Sequence, residues 1–247
     1  MNYIGSKFKL LSFLQDGIGS EANGLSGGVL LDIFAGSGVV GHYFKGLGYK
    51  VIANDIQYYS YCLNRAKVGL DDTPTFARLI SKLGLPEATL FDEPVDTVLS
   101  FLNQMEGTEG FTYRNYCPGE TADSENERQY FTDENGKKCD AIRTTIEEWF
   151  HCELINEDEY FYLLAGLIEA MDIVANTASV YGAFLKHIKK TALKPITLKR
   201  LKLVKGPEKC EVHNEEAAFL ASVVDCDILY MGPTIQPSAV LCKLPRP

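Results

Sequence analysis

The sequence has no apolar run long enough to cross a bilayer, no C-x-x-C pair, no internal repeat and no low-complexity tract. The first absence excludes a helical membrane span, and the last two exclude solenoid arrays and biased linkers. The seven cysteines are odd in number and scattered, so reduced and mostly packed thiols are expected ahead of a zinc site or a catalytic cysteine. Positive charge is also short: 24 Lys and Arg face 33 Asp and Glu, a formal net charge of −9. Nor does the start read as a secretory leader, because Lys7 and Lys9 are followed by a short mixed stretch without a small-residue cleavage pattern. The expectation is a cytoplasmic protein. At 247 residues and 46% hydrophobic, the chain suffices for one large domain or a core domain with an insertion.

The charge deficit is unevenly spread. Acidic residues crowd between Glu120 and Glu159, whereas Lys186 to Lys209 carries nine cations, among them Lys186, Lys189, Lys190 and Lys194. A local field of that sign suits a polyanion even when the total charge does not. A solvated helix face is the competing reading.

Val29 to Phe34 is a short apolar run closed by Ala35-Gly36-Ser37-Gly38, the pattern of a buried strand turning into a helix. A helix through Val39, Val40, Tyr43 and Phe44 and a second strand, Lys50 to Asp55, complete a βαβ unit, which implies an α/β class with parallel pairing. Tyr58 to Leu83 reads as helical with a break near Pro74, and Glu106 to Lys138 as an irregular inserted loop. Two helices follow, one striped by Ile142, Ile146 and Trp149, the other capped by Asn156; core packing accounts for both stripes. Beyond Pro207 the pattern returns to strands, Cys210 to His213 and Asp225 to Met231.

A glycine turn at the carboxyl end of a first strand lets a ligand approach the backbone, and the following helix presents free N–H groups. A nicotinamide site fits such a turn as well, although the third glycine of the dinucleotide fingerprint is displaced. Asp55, ending the second strand, is placed to accept ribose hydroxyls or to cap a helix.

Tyr3-Ile4-Gly5-Ser6-Lys7, Asp32-Ile33-Phe34-Ala35-Gly36-Ser37-Gly38, Asn54-Asp55 and Asp227-Ile228-Leu229-Tyr230, in that order, resemble the D12-class, alpha-group DNA adenine-N6 methyltransferases. The resemblance implies a Rossmann-like, S-adenosylmethionine-dependent methyltransferase sheet with an inserted, mostly helical target-recognition region. It implies S-adenosylmethionine held by Tyr3, Gly5, Lys7, the turn Asp32, Phe34, Ala35, Gly36, Ser37 and Gly38, and Asp55, with Glu216 near the adenine ring. It also implies double-stranded DNA as partner, a cognate restriction endonuclease, and DNA contacts from the insertion. Arg114, with Asn115, Arg128 and Gln129, has the side chains that read base edges, and Lys186, Lys189, Lys190 and Lys194 suit phosphates. The corresponding division is 1–60 for the cofactor-binding part, 61–202 for the helical and target-recognition region, and 203–247 for the return to the sheet.

One landmark departs from that family. Where its members carry Asp-Pro-Pro-Tyr, this chain has Gly232-Pro233-Thr234-Ile235. The adenine amino nitrogen is a poor nucleophile, and the family accepts its protons on the Asp side chain and a Pro carbonyl while the Tyr stacks on the extruded base. Gly232 has no side-chain acceptor and Ile235 no aromatic face, so impaired chemistry is expected at these catalytic positions. A one-nucleotide deletion at codon 232 converts a permitted coding of Gly-Pro-Thr-Ile into Asp-Pro-Pro-Tyr, so an out-of-frame tail from Gly232 to Pro247 is expected. The alternatives are a genuine variant terminus and, for function, a non-catalytic DNA- or cofactor-binding remnant.

Overall fold

The computed structural model describes residues 7–21, 27–86, 93–122, 127–178 and 182–232. A 3-10 turn at Phe8–Leu10 leads into α1 (Leu11–Glu21), followed by β1 (Val29–Asp32), α2 (Val39–Gly46) and β2 (Lys50–Asn54). Helices α3 (Tyr58–Lys67), α4 (Ala77–Leu83), α5 (Pro94–Gln104), α6 (Phe111–Tyr116), α7 (Pro118–Thr121), α8 (Asp133–His151) and α9 (Glu157–Val174) come next. The chain then adds β3 (Glu211–His213), α10 (Ala217–Val223) and β4 (Ile228–Tyr230). None of the described helices is long and apolar enough to cross a membrane.

All strand pairs are parallel, in the order β3-β2-β1-β4. Strand order therefore reverses beside β1, and the crevice at the carboxyl ends of β1 and β4 is where open α/β sheets take ligands. Asp227 fixes the register at the other end. Its Oδ2 accepts the Val29 amide at 2.7 Å, and its own amide donates to Val29 O at 3.0 Å.

Alternation along each strand sorts side chains onto two faces. Leu30 and Val51 join Val40, Phe44 and Val68 on one face, with Leu11, Leu14 and Ile18 of α1 packed alongside. Leu31 and Ile52 face the other way, against Leu220 of α10. On this second side Phe219, Val223, Leu229 and Met231 remain exposed.

The largest core belongs to the helices. Leu63 of α3, Val98 and Leu102 of α5, Ile142 and Ile146 of α8, and Leu163 and Leu167 of α9 bury together, so α3 to α9 form one packed body. The expected break near Pro74 falls between α3 and α4, and Asn156 caps α9 by accepting the Glu159 amide at 2.9 Å. The stripe of Ile142, Ile146 and Trp149 is buried on α8.

The stretch from Glu106 to Lys138 is not the irregular loop its composition suggests. It contains α6, α7 and the start of α8. Buried Asp140 of α8 explains the order, accepting the amides of Gly110 at 3.1 Å, Thr112 at 2.8 Å and Tyr113 at 2.8 Å. A carboxylate from 27 to 30 residues away thus satisfies the orphan donors of α6.

Candidate active site

The bend after β1 and the acid after β2 meet. Asp55 Oδ2 accepts the Gly36 amide at 2.8 Å, and Oδ1 accepts the Gln57 amide at 2.9 Å. The Ala35 amide donates to Asn54 O at 2.8 Å, and Asn64 Nδ2 of α3 donates to Gly36 O at 3.1 Å. Gly36 and Gly38 have φ of 53° and 76°, the left-handed region that glycine occupies at least cost. At Gly38 a methyl would also lie 2.9 Å from Asn64 Oδ1, so the bend is closed to any side chain there.

Asp32, at the tip of β1, is 1% exposed, and among the described residues its two carboxylate oxygens meet no donor in hydrogen-bonding geometry. Burial pushes its pKa up to about 7, with the Asp55 charge adding to the rise. The Phe34 amide and the Lys7 ammonium oppose it, which puts Lys7 within electrostatic reach of the bend. Asp55 is raised as well, through burial, against the two amides it accepts. Beside these acids, Phe34 and Ile56 hold their apolar side chains exposed. Ile56 went unread in the sequence, although an apolar residue directly after a strand-end acid was visible there.

The third wall comes from the segment between β3 and α10. Asn54 Nδ2 donates to Glu215 O at 3.1 Å and Asn54 Oδ1 accepts the Glu215 amide at 3.0 Å, while Asn214 Nδ2 donates to Asp55 O at 2.6 Å. These bonds set exposed Glu216 at the N-cap of α10, at the end of β2. On the far side of β1, Asp32 pairs with Tyr230 and the Ile33 amide donates to Tyr230 O at 3.2 Å. Gly232 therefore leaves the sheet at the same edge as Asp32. Ala35 and Ser37 are buried within the bend. Tyr3, Gly5, Pro233, Thr234 and Ile235 lie outside the described residues.

The nucleic-acid candidates sit elsewhere. Arg114 is exposed on α6, and Lys186, Lys190 and Lys194 are exposed on the segment after Phe184. Lys189 is engaged internally, its Nζ donating to Thr177 O at 3.1 Å. A hollow of about 520 Å³ between α2 and α9 is lined by His42, Lys67, Glu169 and Lys202 and touches the bend only at Gly38. Neither Asp32 nor Asp55 lines it, so it is separate from the acidic crevice. The thiols of Cys62, Cys117 and Cys139 are pushed up to about 12 by burial, which makes them packing groups and not nucleophiles.

The family model of the D12 class N6 adenine-specific DNA methyltransferases matches residues 3–238. Over 234 residues the chain is 46% identical to the type II methyltransferase M.NlaIII of Neisseria lactamica, covering 94% of this chain and 64% of that protein. It is 38% identical to the type II methyltransferase M.FokI of Planomicrobium okeanokoites and 36% identical to the modification methylase StsI of Streptococcus sanguinis, covering 94% of this chain each time. It spans 34% and 33% of those two longer proteins. No solved structure matches the chain.

Proposed function

Because the chain belongs to the D12 class N6 adenine-specific DNA methyltransferase family, we propose that it has an intact cleft for S-adenosylmethionine, serves adenine-N6 methylation of duplex DNA in a restriction-modification setting, and is impaired at the transfer step. The observation that carries this reading is buried Asp32, whose carboxylate oxygens meet no donor in hydrogen-bonding geometry among the described residues, beside a glycine bend gripped by Asp55. A buried carboxyl without such a donor either keeps its proton, as Asp32 does to about pH 7, or takes a cation. S-adenosylmethionine has two, a sulfonium and an α-ammonium, together with ribose hydroxyls that suit Asp55 and a purine whose faces suit Phe34 and Ile56. A nicotinamide dinucleotide brings a pyrophosphate instead, which two adjacent acids repel. When bound, S-adenosylmethionine supplies an electrophilic methyl group.

What the chain must add is a pair of acceptors for the adenine amino protons and a stacking face for the extruded base. Gly232 stands where the acceptor is needed, at the edge shared with Asp32. We read the residues from Gly232 onward as out of frame. The nucleotide sequence around codon 232 checks this: an uninterrupted frame with no methylase coding in another frame removes the idea. A non-catalytic binding remnant is the second reading, favoured by the same absence of an acceptor.

Isothermal titration with S-adenosylmethionine and with NAD is the test of the cleft. Binding of the former alone is expected, and binding of NAD alone overturns the assignment. Labelled methyl transfer to duplex DNA is expected to be absent or small for this chain and to recover when the codons from 232 are shifted back into frame. Full transfer by the chain as it stands would contradict the impairment.

A further inference from the structure

Four polar side chains around α6 have the chemistry to read base edges: Arg114, Asn115, Arg128 and Gln129. Their surroundings separate them. Asn115 Nδ2 donates to Phe111 O at 2.8 Å. The Arg128 guanidinium donates to Asn115 O at 3.1 Å and lies 5.8 Å from the Tyr116 ring centre. Gln129 Nε2 donates to Leu185 O at 3.3 Å. Among the described residues, the Arg114 side chain alone of the four has no bonding partner, and it is exposed.

Its support is rigid. The three amides that Asp140 accepts anchor the first turn of α6, Gly119 donates to Asp133 Oδ1 at 2.9 Å, and Gly136 of α8 packs against Cys117 with no room for a methyl. Phe111, one turn before Arg114 and on the same face of α6, is 64% exposed. The nearby Glu109 carboxylate feels the Arg114 charge but is ion-paired with Lys137 at 2.7 Å. A cation whose fork makes no hydrogen bond among the described residues, beside an exposed ring and on a backbone held by its neighbours, is a presented reading head.

The same strip leads to the basic segment. Ring centres of Phe111 and Tyr116 lie 6.0 Å apart, those of Tyr116 and Tyr130 5.6 Å, and those of Tyr130 and Phe184 5.2 Å. Asn176 bonds the backbone of Leu185 and Lys189, and Asn135 that of Ala192, Lys194 and Ile196. These bonds fix exposed Lys186 and Lys190 next to the ladder, and neither forms an ion pair among the described residues. Cations at both ends of an aromatic ladder complement a duplex, in a chain whose net charge is −9.

We propose that Arg114 is the specificity-determining residue of this chain, reading one guanine through its major-groove edge beside Phe111, while Lys186 and Lys190 hold phosphates on the same strip. The inference rests on the methyltransferase reading for its DNA partner. The planar fork of a guanidinium pairs O6 and N7 of guanine together in a geometry that a lysine ammonium does not hold fixed, which commits the contact to a G·C pair.

The test selects bound duplexes from a pool with a randomised centre, using the whole chain with S-adenosylhomocysteine present. The wild type is expected to enrich a motif with at least one invariant G·C pair. Arg114→Ala and Arg114→Lys should make that pair degenerate, lowering discrimination there by roughly 5- to 150-fold. A duplex with 7-deazaguanine at that position should weaken the wild type similarly and leave Arg114→Ala unchanged. Lys186→Ala and Lys190→Ala should each reduce the slope of log affinity against log salt by about 0.9, with the motif intact. If Arg114→Ala keeps the motif and only flattens the salt slope, Arg114 is a phosphate contact and the proposal is wrong. Cofactor binding without sequence enrichment also overturns it and leaves the cleft assignment standing, whereas loss of both removes the methyltransferase reading itself.

Discussion

Asp55 Oδ2 accepts the backbone amide of Gly36 at 2.8 Å, so the acid that ends β2 holds the turn that follows β1. The other oxygen takes the Gln57 amide at 2.9 Å, leaving the carboxylate oriented before any ligand arrives. Asp55→Asn keeps the shape but presents an amino group to one of two N–H donors. The expected result is a stability loss of about 1–3 kcal/mol and at least a tenfold weaker affinity for S-adenosylmethionine. Urea melts and calorimetry measure the two. An unchanged affinity would detach Asp55 from the ligand.

Asp32 gives the apo protein a pH dependence of definite sign. The folded chain holds this proton to about pH 7, against an ordinary value of 3.8, so between those limits it binds more protons than the unfolded chain does. Stability therefore falls as pH rises through that window, by up to roughly 4 kcal/mol for such a shift, and Asp55 acts in the same direction. Asp32→Asn should flatten the profile and raise apo stability at pH 8, while abolishing any gain in cofactor affinity as pH climbs past 7. Urea denaturation from pH 5 to 8 is the measurement. A wild-type profile flat over that range would contradict the burial argument.

What was legible in the sequence was local. The bend and its strands could be read because alternation and left-handed glycines are fixed within a few residues, and Asn156 because a cap reaches only three residues ahead. What stayed hidden depended on distant partners. Asp140 orders α6 from another helix, and Glu215 clamps Asn54 across 161 residues. Equally, Arg114 and Arg128 look interchangeable in sequence, and only packing shows that Arg128 is hydrogen-bonded to Asn115 O while the Arg114 side chain makes no hydrogen bond among the described residues.

Lys45 is another case where sequence misleads, since a lysine near the end of an amphipathic helix reads as a solvated one. Its side chain is fully buried, and Nζ donates to Val68 O at 2.9 Å and Leu70 O at 2.6 Å and pairs with Asp71 Oδ1 at 2.8 Å. Burial raises the Asp71 pKa, but the Lys45 bond and charge, together with the Gly206 amide and the Lys205 charge, outweigh it, and the net value is lowered. That part of the stability is present above the ordinary carboxylate range and is lost as pH falls through the depressed value. Lys45→Met should cost about 3 kcal/mol, with most of the pH dependence at acid pH removed and cofactor affinity unchanged. Adding Asp71→Asn should recover part of the loss, and a strictly additive pair would show that the two do not interact.

The close approach of α8 to the α6–α7 segment supplies a lever on recognition that leaves the cleft alone. A methyl added at Gly136 would be driven into Cys117 Sγ, with Tyr113 Cα 3.3 Å away, so the segment carrying Arg114 must move. Overpacking of this kind costs about 1–3 kcal/mol. Gly136→Ala should therefore lower the melting temperature and blur sequence selection, with S-adenosylmethionine affinity preserved because the bend and Asp55 are not touched. Cys117→Ala removes the obstructing sulfur, and combined with Gly136→Ala it should restore both stability and selectivity. If the double variant behaves as the sum of the singles, the sulfur contact is not what sets the position of α6, and the rigid presentation of Arg114 has another origin.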